Sequence, residues 1–101
     1  MERKLTTIFA SDVVGFSKMM GLNELKTLQI LKERRRVIDK IIKEHDGNIF
    51  GSAGDSVIAE FSSPLKAAEA AVATQHSMKI MNQGKGELEQ MNFRIGINIG
   101  D

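Results

Sequence analysis

Two aspartates stand where an aspartate is either costly or well displayed. Asp12 lies inside the otherwise apolar, β-branched run Ile8-Phe9-Ala10-Ser11-Asp12-Val13-Val14, and Asp55 ends the glycine-rich stretch Gly51-Ser52-Ala53-Gly54-Asp55. A charge in a buried strand is expensive unless something pairs with it. Two carboxylates on one edge either repel, and hold protons more tightly, or share cations. Hard oxygen ligands suit Mg²⁺ or Mn²⁺, and two such ions form the clamp used in phosphoryl transfer. Directly after Asp12, Gly15-Phe16-Ser17 offers successive backbone N–H groups where glycine permits a tight turn, the kind of concavity that holds phosphate. The same residues also have a plain structural reading: Asp12 caps a turn and Asp55 is an ordinary hairpin-turn aspartate.

Other chemistry has little support. There is no Cys, so neither a disulfide frame nor a cysteine-ligated zinc is available to His45 or His76. No Ser/His/Asp order, Walker A loop or GxGxxG is present. The basic run Lys32 to Arg36, interrupted by Glu33, reads as the solvated face of a helix. Met19, Met20, Met78 and Met81 read as packing fillers.

The elements that must position the aspartates follow from periodicity. Leu5 to Val14 predicts a buried central strand. From Asn23, a plausible N-cap, Leu25, Leu28, Leu31, Ile38, Ile41 and Ile42 form one helical stripe, and Gly47 stands where a left-handed C-cap glycine belongs. Asn48 to Phe50 and Val57 to Phe61 predict a hairpin around the turn that carries Asp55. Ser63-Pro64 then opens a second helix, with Leu65, Ala68, Val72 and Met78 on its expected face. Met91 to Ile99 alternates apolar and polar residues with period two, which predicts the last strand. The order β-α-β-β-α-β predicts an α+β, ferredoxin-like fold: a four-stranded antiparallel sheet with two helices on one face. Right-handed crossovers place strand 1 between strands 3 and 4, so Asp12 falls beside the turn that holds Asp55.

Composition bounds the class. The 101 residues are 42% hydrophobic and carry a net charge of +1, which excludes a disordered chain and argues against bulk binding to nucleic acid. The longest uninterrupted apolar run, Ala70 to Ala73, is far short of a membrane span. Met1-Glu2-Arg3-Lys4 lacks a signal-peptide pattern, and no partner domain is expected ahead of it. Together with the absence of Cys, this gives a cytoplasmic domain as the expectation.

Three ordered motifs then become familiar. Phe9-Ala10-Ser11-Asp12-Val13-Val14-Gly15-Phe16-Ser17, Gly54-Asp55, and Phe93-Arg94-Ile95-Gly96-Ile97-Asn98-Ile99-Gly100 together resemble the class III adenylate/guanylate cyclase catalytic domain, over nearly the whole chain. The resemblance implies that residues 1–101 are the N-terminal part of a longer domain. It implies that Asp12, Asp55 and the Val13 carbonyl hold two Mg²⁺ or Mn²⁺ ions. It further implies that Gly15, Phe16 and Ser17 hold the β- and γ-phosphates of ATP or GTP through backbone N–H groups, and that the complete domain is a homodimer with its sites at the interface. The implied reaction makes a 3′,5′-cyclic nucleotide and pyrophosphate. Two positions depart from the pattern: Gly51 stands where adenylate cyclases often have a purine-reading Lys, and Asp101 where some members have an Arg. The family's transition-state Asn and Arg have no counterpart in these residues, so the chain alone is expected to be inactive. The alternative is a catalytically silent cyclase-like domain that serves as a dimerisation or regulatory module.

Overall fold

The computed structural model describes residues 6–100; the expectations that fell on residues 1–5 and on Asp101 lie outside the described residues. Strand β1 (Thr6–Val13) alternates strictly, with Thr7, Phe9, Ser11 and Val13 buried and Ala10 and Asp12 on the opposite face. It pairs antiparallel with β3 (Ser56–Phe61) on one side and with β4 (Phe93–Gly100) on the other. Strand β2 (Asn48–Ala53) closes the far edge, giving the order β2-β3-β1-β4. This is the predicted antiparallel sheet with strand 1 between strands 3 and 4. The hairpin strand β2 runs to Ala53 rather than stopping at Phe50, and a register shift between Ile49 and Gly51 absorbs the extra residue.

Three helices accompany the sheet, where two were expected. The addition is α1 (Phe16–Leu22), a short helix in the segment read as a break. Asn23 separates it from α2 (Glu24–Glu44) by taking an extended backbone, φ −161° and ψ 94°. The Asn23 N–H closes α1 on the Met19 carbonyl, and its side chain caps α2 by accepting from the Lys26 N–H at 3.0 Å. The expected stripe of α2 holds at Leu31, Ile38, Ile41 and Ile42 but not at its start. There Thr27 and Ile30 are buried, while Leu25 and Leu28 face outward. Helix α3 (Pro64–Asn82) is capped by Ser63 with Pro at its first position, as predicted. Its buried face is Ala67, Ala70, Thr74 and Met78, however, and Leu65, Ala68 and Val72 are exposed. Small residues lie against the sheet because they let the helix approach closely, so size overrode hydrophobicity in choosing the face.

Two further expectations are corrected. The left-handed residue after α2 is Asp46 (φ 63°), not Gly47. Gly47 is glycine for want of space: a Cβ there would lie 2.5 Å from Phe61 Cζ and 2.7 Å from Ile42 Cγ2. The basic run is not uniformly solvated either. Arg34 is 2% exposed and donates to the Met91 carbonyl (2.9 Å) and Asn82 Oδ1 (2.7 Å), fastening α2 to the end of α3 and the approach to β4. Burial lowers its pKa from the ordinary arginine value. Three of the four methionines read as fillers do pack so, Met78 buried and Met19 and Met81 against the core, whereas Met20 is half-buried outside that cluster. That core, built on Phe9, Ile38, Ile42, Val57 and Phe61, lies wholly between the helices and one sheet face. The opposite face carries no helix among the described residues.

Candidate metal-ion and phosphate site

Asp12 is the last residue of β1 on the helix-free face, directly opposite Arg94 of β4. Its carboxylate, 42% exposed, accepts both arms of that guanidinium: Arg94 Nε donates to Oδ1 at 2.9 Å and Nη2 to Oδ2 at 3.1 Å. Asp55 follows Gly54 in the two-residue turn between β2 and β3, where Ala53 pairs with Ser56. Gly54 takes φ 58°, as the first position of such a turn requires. Asp55 Oδ2 accepts from the Val13 N–H at 2.9 Å, across 42 residues of sequence. The end of β1 and the hairpin turn are therefore tied together through one of the two aspartates. Asp12 is the main cause that raises the Arg94 pKa above its ordinary value, and Asp55 adds to it. Both carboxylates thus act on a single cation.

Immediately beyond this pair, Gly15 adopts the left-handed conformation (φ 68°, ψ 31°) and turns the chain from β1 into α1. No side chain caps that helix, so the N–H groups of Phe16 and Ser17 open it without a side-chain acceptor. Phe16 packs against the core and Ser17 is exposed. Gly51 lies in β2 opposite Ile58, where a Cβ would make only an ordinary 3.5 Å contact, so sterics do not demand glycine there. Ala10, Asp12, Ser56, Ile58, Arg94 and Gly96 are among the residues lining a shallow, open depression of about 420 Å³ on the helix-free face.

Asp12, Val13, Asp55 and Gly15 to Ser17 are thus brought together. His45 is elsewhere, its Nδ1 held 2.7 Å from the Ile41 carbonyl, and His76 is exposed on α3. Among the described residues, no group of three or more His, Asp or Glu side chains converges. The two carboxylates form a sparse, all-oxygen set. Such a set fits Mg²⁺ or Mn²⁺, which use one or two carboxylates and fill the remaining positions with water and substrate phosphates. It does not fit zinc. The plain structural reading is also partly realised, since each aspartate has a protein partner. Sequence reasoning missed Arg94 as that partner. The period-two alternation of β4 places Arg94 on the face opposite Phe93 and Ile95, but only the strand register sets it against Asp12.

No family model matches the chain. It is 35% identical over 102 residues to "Putative adenylate cyclase 3" of Rhizobium meliloti (strain 1021), which covers all of this chain but 17% of that protein. Among solved structures, the adenylate/guanylate cyclase/hydrolase from Silicibacter pomeroyi superposes with a TM-score of 0.87 at 36% identity, over 98% of this chain and 58% of that one. The adenylyl cyclase CyaB from P. aeruginosa gives 0.84 at 27% identity, over 98% and 57%. The guanylyl cyclase Cya2 gives 0.83 at 28%, over 98% and 55%. The chain therefore spans little more than half of each solved relative and about a sixth of the curated one. No helix among the described residues is long and apolar enough to cross a membrane.

Proposed function

We propose, for a chain that in sequence and fold resembles adenylate/guanylate cyclase catalytic domains along nearly its whole length, that it supplies the metal-ion and triphosphate half of a purine-nucleotide cyclase site. The complete domain would convert ATP or GTP to a 3′,5′-cyclic nucleotide and pyrophosphate. The observation that carries this reading is the 2.9 Å bond from the Val13 N–H to Asp55 Oδ2, which joins the strand end bearing Asp12 to the turn bearing Asp55.

In this reading Asp12, Asp55 and the Val13 carbonyl hold two Mg²⁺ or Mn²⁺ ions. When bound, these ions supply charge neutralisation of the triphosphate and a lowered pKa for the ribose 3′-hydroxyl. The Gly15 turn presents the Phe16 and Ser17 N–H groups to the β- and γ-phosphates, donors that need no reorganisation during the reaction. With Gly51 in place of a purine-reading Lys, the preference for adenine that such a Lys confers does not carry over to this chain. The second half of each site would come from the remainder of the domain and a second copy of it, in a homodimer, so the 101 residues alone turn over little or no nucleotide.

The test uses Mn²⁺ binding to the 101-residue chain, followed by electron paramagnetic resonance with and without ATP or GTP. Asp55→Asn is the sharper variant, because its Oδ1 still accepts from the Val13 N–H while the charge is removed. Weak binding that both Asp12→Asn and Asp55→Asn reduce by about tenfold or more is expected. Binding indifferent to both would overturn the site. Sustained turnover by the isolated chain, lost in Asp55→Asn, would overturn the view that the other half is needed.

A further inference from the structure

We infer that Arg94 is a positioning residue: it pairs with both oxygens of the Asp12 carboxylate and must leave before a divalent ion can use them. This deepens the cyclase reading and rests on it. Both Asp12 oxygens are engaged by the guanidinium, Oδ1 at 2.9 Å and Oδ2 at 3.1 Å, so a metal ion and Arg94 compete for the same lone pairs. The two-pronged pairing also fixes the carboxylate plane, which a single contact would not do. Asp12 is the only hydrogen-bond partner of the Arg94 side chain among the described residues.

The latch is easily opened. The Arg94 side chain is 70% exposed and lies on the helix-free face, so it can swing outward without crossing the core. At this exposure solvent screens the pair, so a divalent ion with double the charge can compete with the guanidinium for the same oxygens.

The experiment compares Mn²⁺ alone on the wild-type chain, Arg94→Gln and Arg94→Lys by electron paramagnetic resonance, with melting temperature as a check on folding. Arg94→Gln is expected to bind Mn²⁺ about tenfold more tightly, because a unit positive charge no longer opposes the ion. Arg94→Lys keeps the charge but not the fork, and is expected to fall between the two. In ¹⁵N-labelled wild type, Mg²⁺ should shift the Arg94 Nε–H signal and hasten its exchange with water. Unchanged or weaker Mn²⁺ binding in Arg94→Gln, while Asp12→Asn still abolishes binding, overturns the latch and leaves the metal site standing. No Asp12-dependent binding in any variant overturns both.

Discussion

Gly47 is the residue where packing leaves no freedom. It sits between Ile42, at the end of α2, and Phe61, at the end of β3, both almost wholly buried. A methyl group there would meet the Phe61 ring at 2.5 Å, and that ring is itself packed against Phe9 at 6.0 Å between centroids. We expect Gly47→Ala to destabilise the domain by about 1–3 kcal/mol, the usual penalty for overfilling a tight core, measured by urea denaturation. A change within a few tenths of a kcal/mol would mean that the ring has room to move. From sequence, the position is legible as glycine beside a helix stop, but the reason is not. Local reasoning assigned it the left-handed conformation, which Asp46 takes instead. Arg34 repeats the lesson: its type and neighbours read as surface, and only the packing of α3 against α2 buries it.

At the scale of elements, one ion pair bridges the connection after α2 to the start of α3. Lys66 donates to Asp46 Oδ2, an exposed contact that lowers the Asp46 pKa and raises that of Lys66, in each case chiefly through the hydrogen bond. A depressed carboxyl pKa contributes stability that is present above its ordinary value of 3.8 and lost as pH falls through the folded value. A raised lysine pKa contributes stability present below 10.5 and lost as pH rises through the folded value. The melting temperature of the wild type should therefore exceed that of Asp46→Asn at neutral pH, with the gap closing in acid and again in strong base. Asn tolerates the left-handed backbone at this position, so the comparison isolates the charge. A gap that persists unchanged in strong acid would assign the effect to something other than the pair. The existence and order of the long elements were legible, because Asn23 and Ser63 carry cap chemistry and β4 alternates cleanly. The short helix α1 was not: its seven residues give too few turns for a periodic signal, and its boundary depends on the extended backbone at Asn23.

For the molecule as a whole, the helices stop short of covering β4. Its core-side residues pass from Phe93, 5% exposed, to Ile97 at 40% and Ile99 at 55%. The outer edge of β4 has no strand partner among the described residues. An open edge with apolar residues along it invites pairing with another chain. We expect the 101-residue chain to associate reversibly in sedimentation experiments, and Ile97→Lys with Ile99→Lys to reduce that association. Monomers at every concentration tested, in both proteins, would remove this face from consideration.

By itself the sequence determined the period of each long element, the antiparallel βαββαβ order, and the candidate site residues. All of these are local in origin: alternation, helical spacing, caps, and a carboxylate inside an apolar run. The tertiary structure decided which face of each helix is buried, that Gly47 has no space for a side chain, and that Asp12 meets Arg94, 82 positions away, while Val13 meets Asp55. Such contacts depend on strand register and on how closely a helix approaches the sheet. Both are fixed only when the volumes of residues far apart in the chain are fitted together in one core.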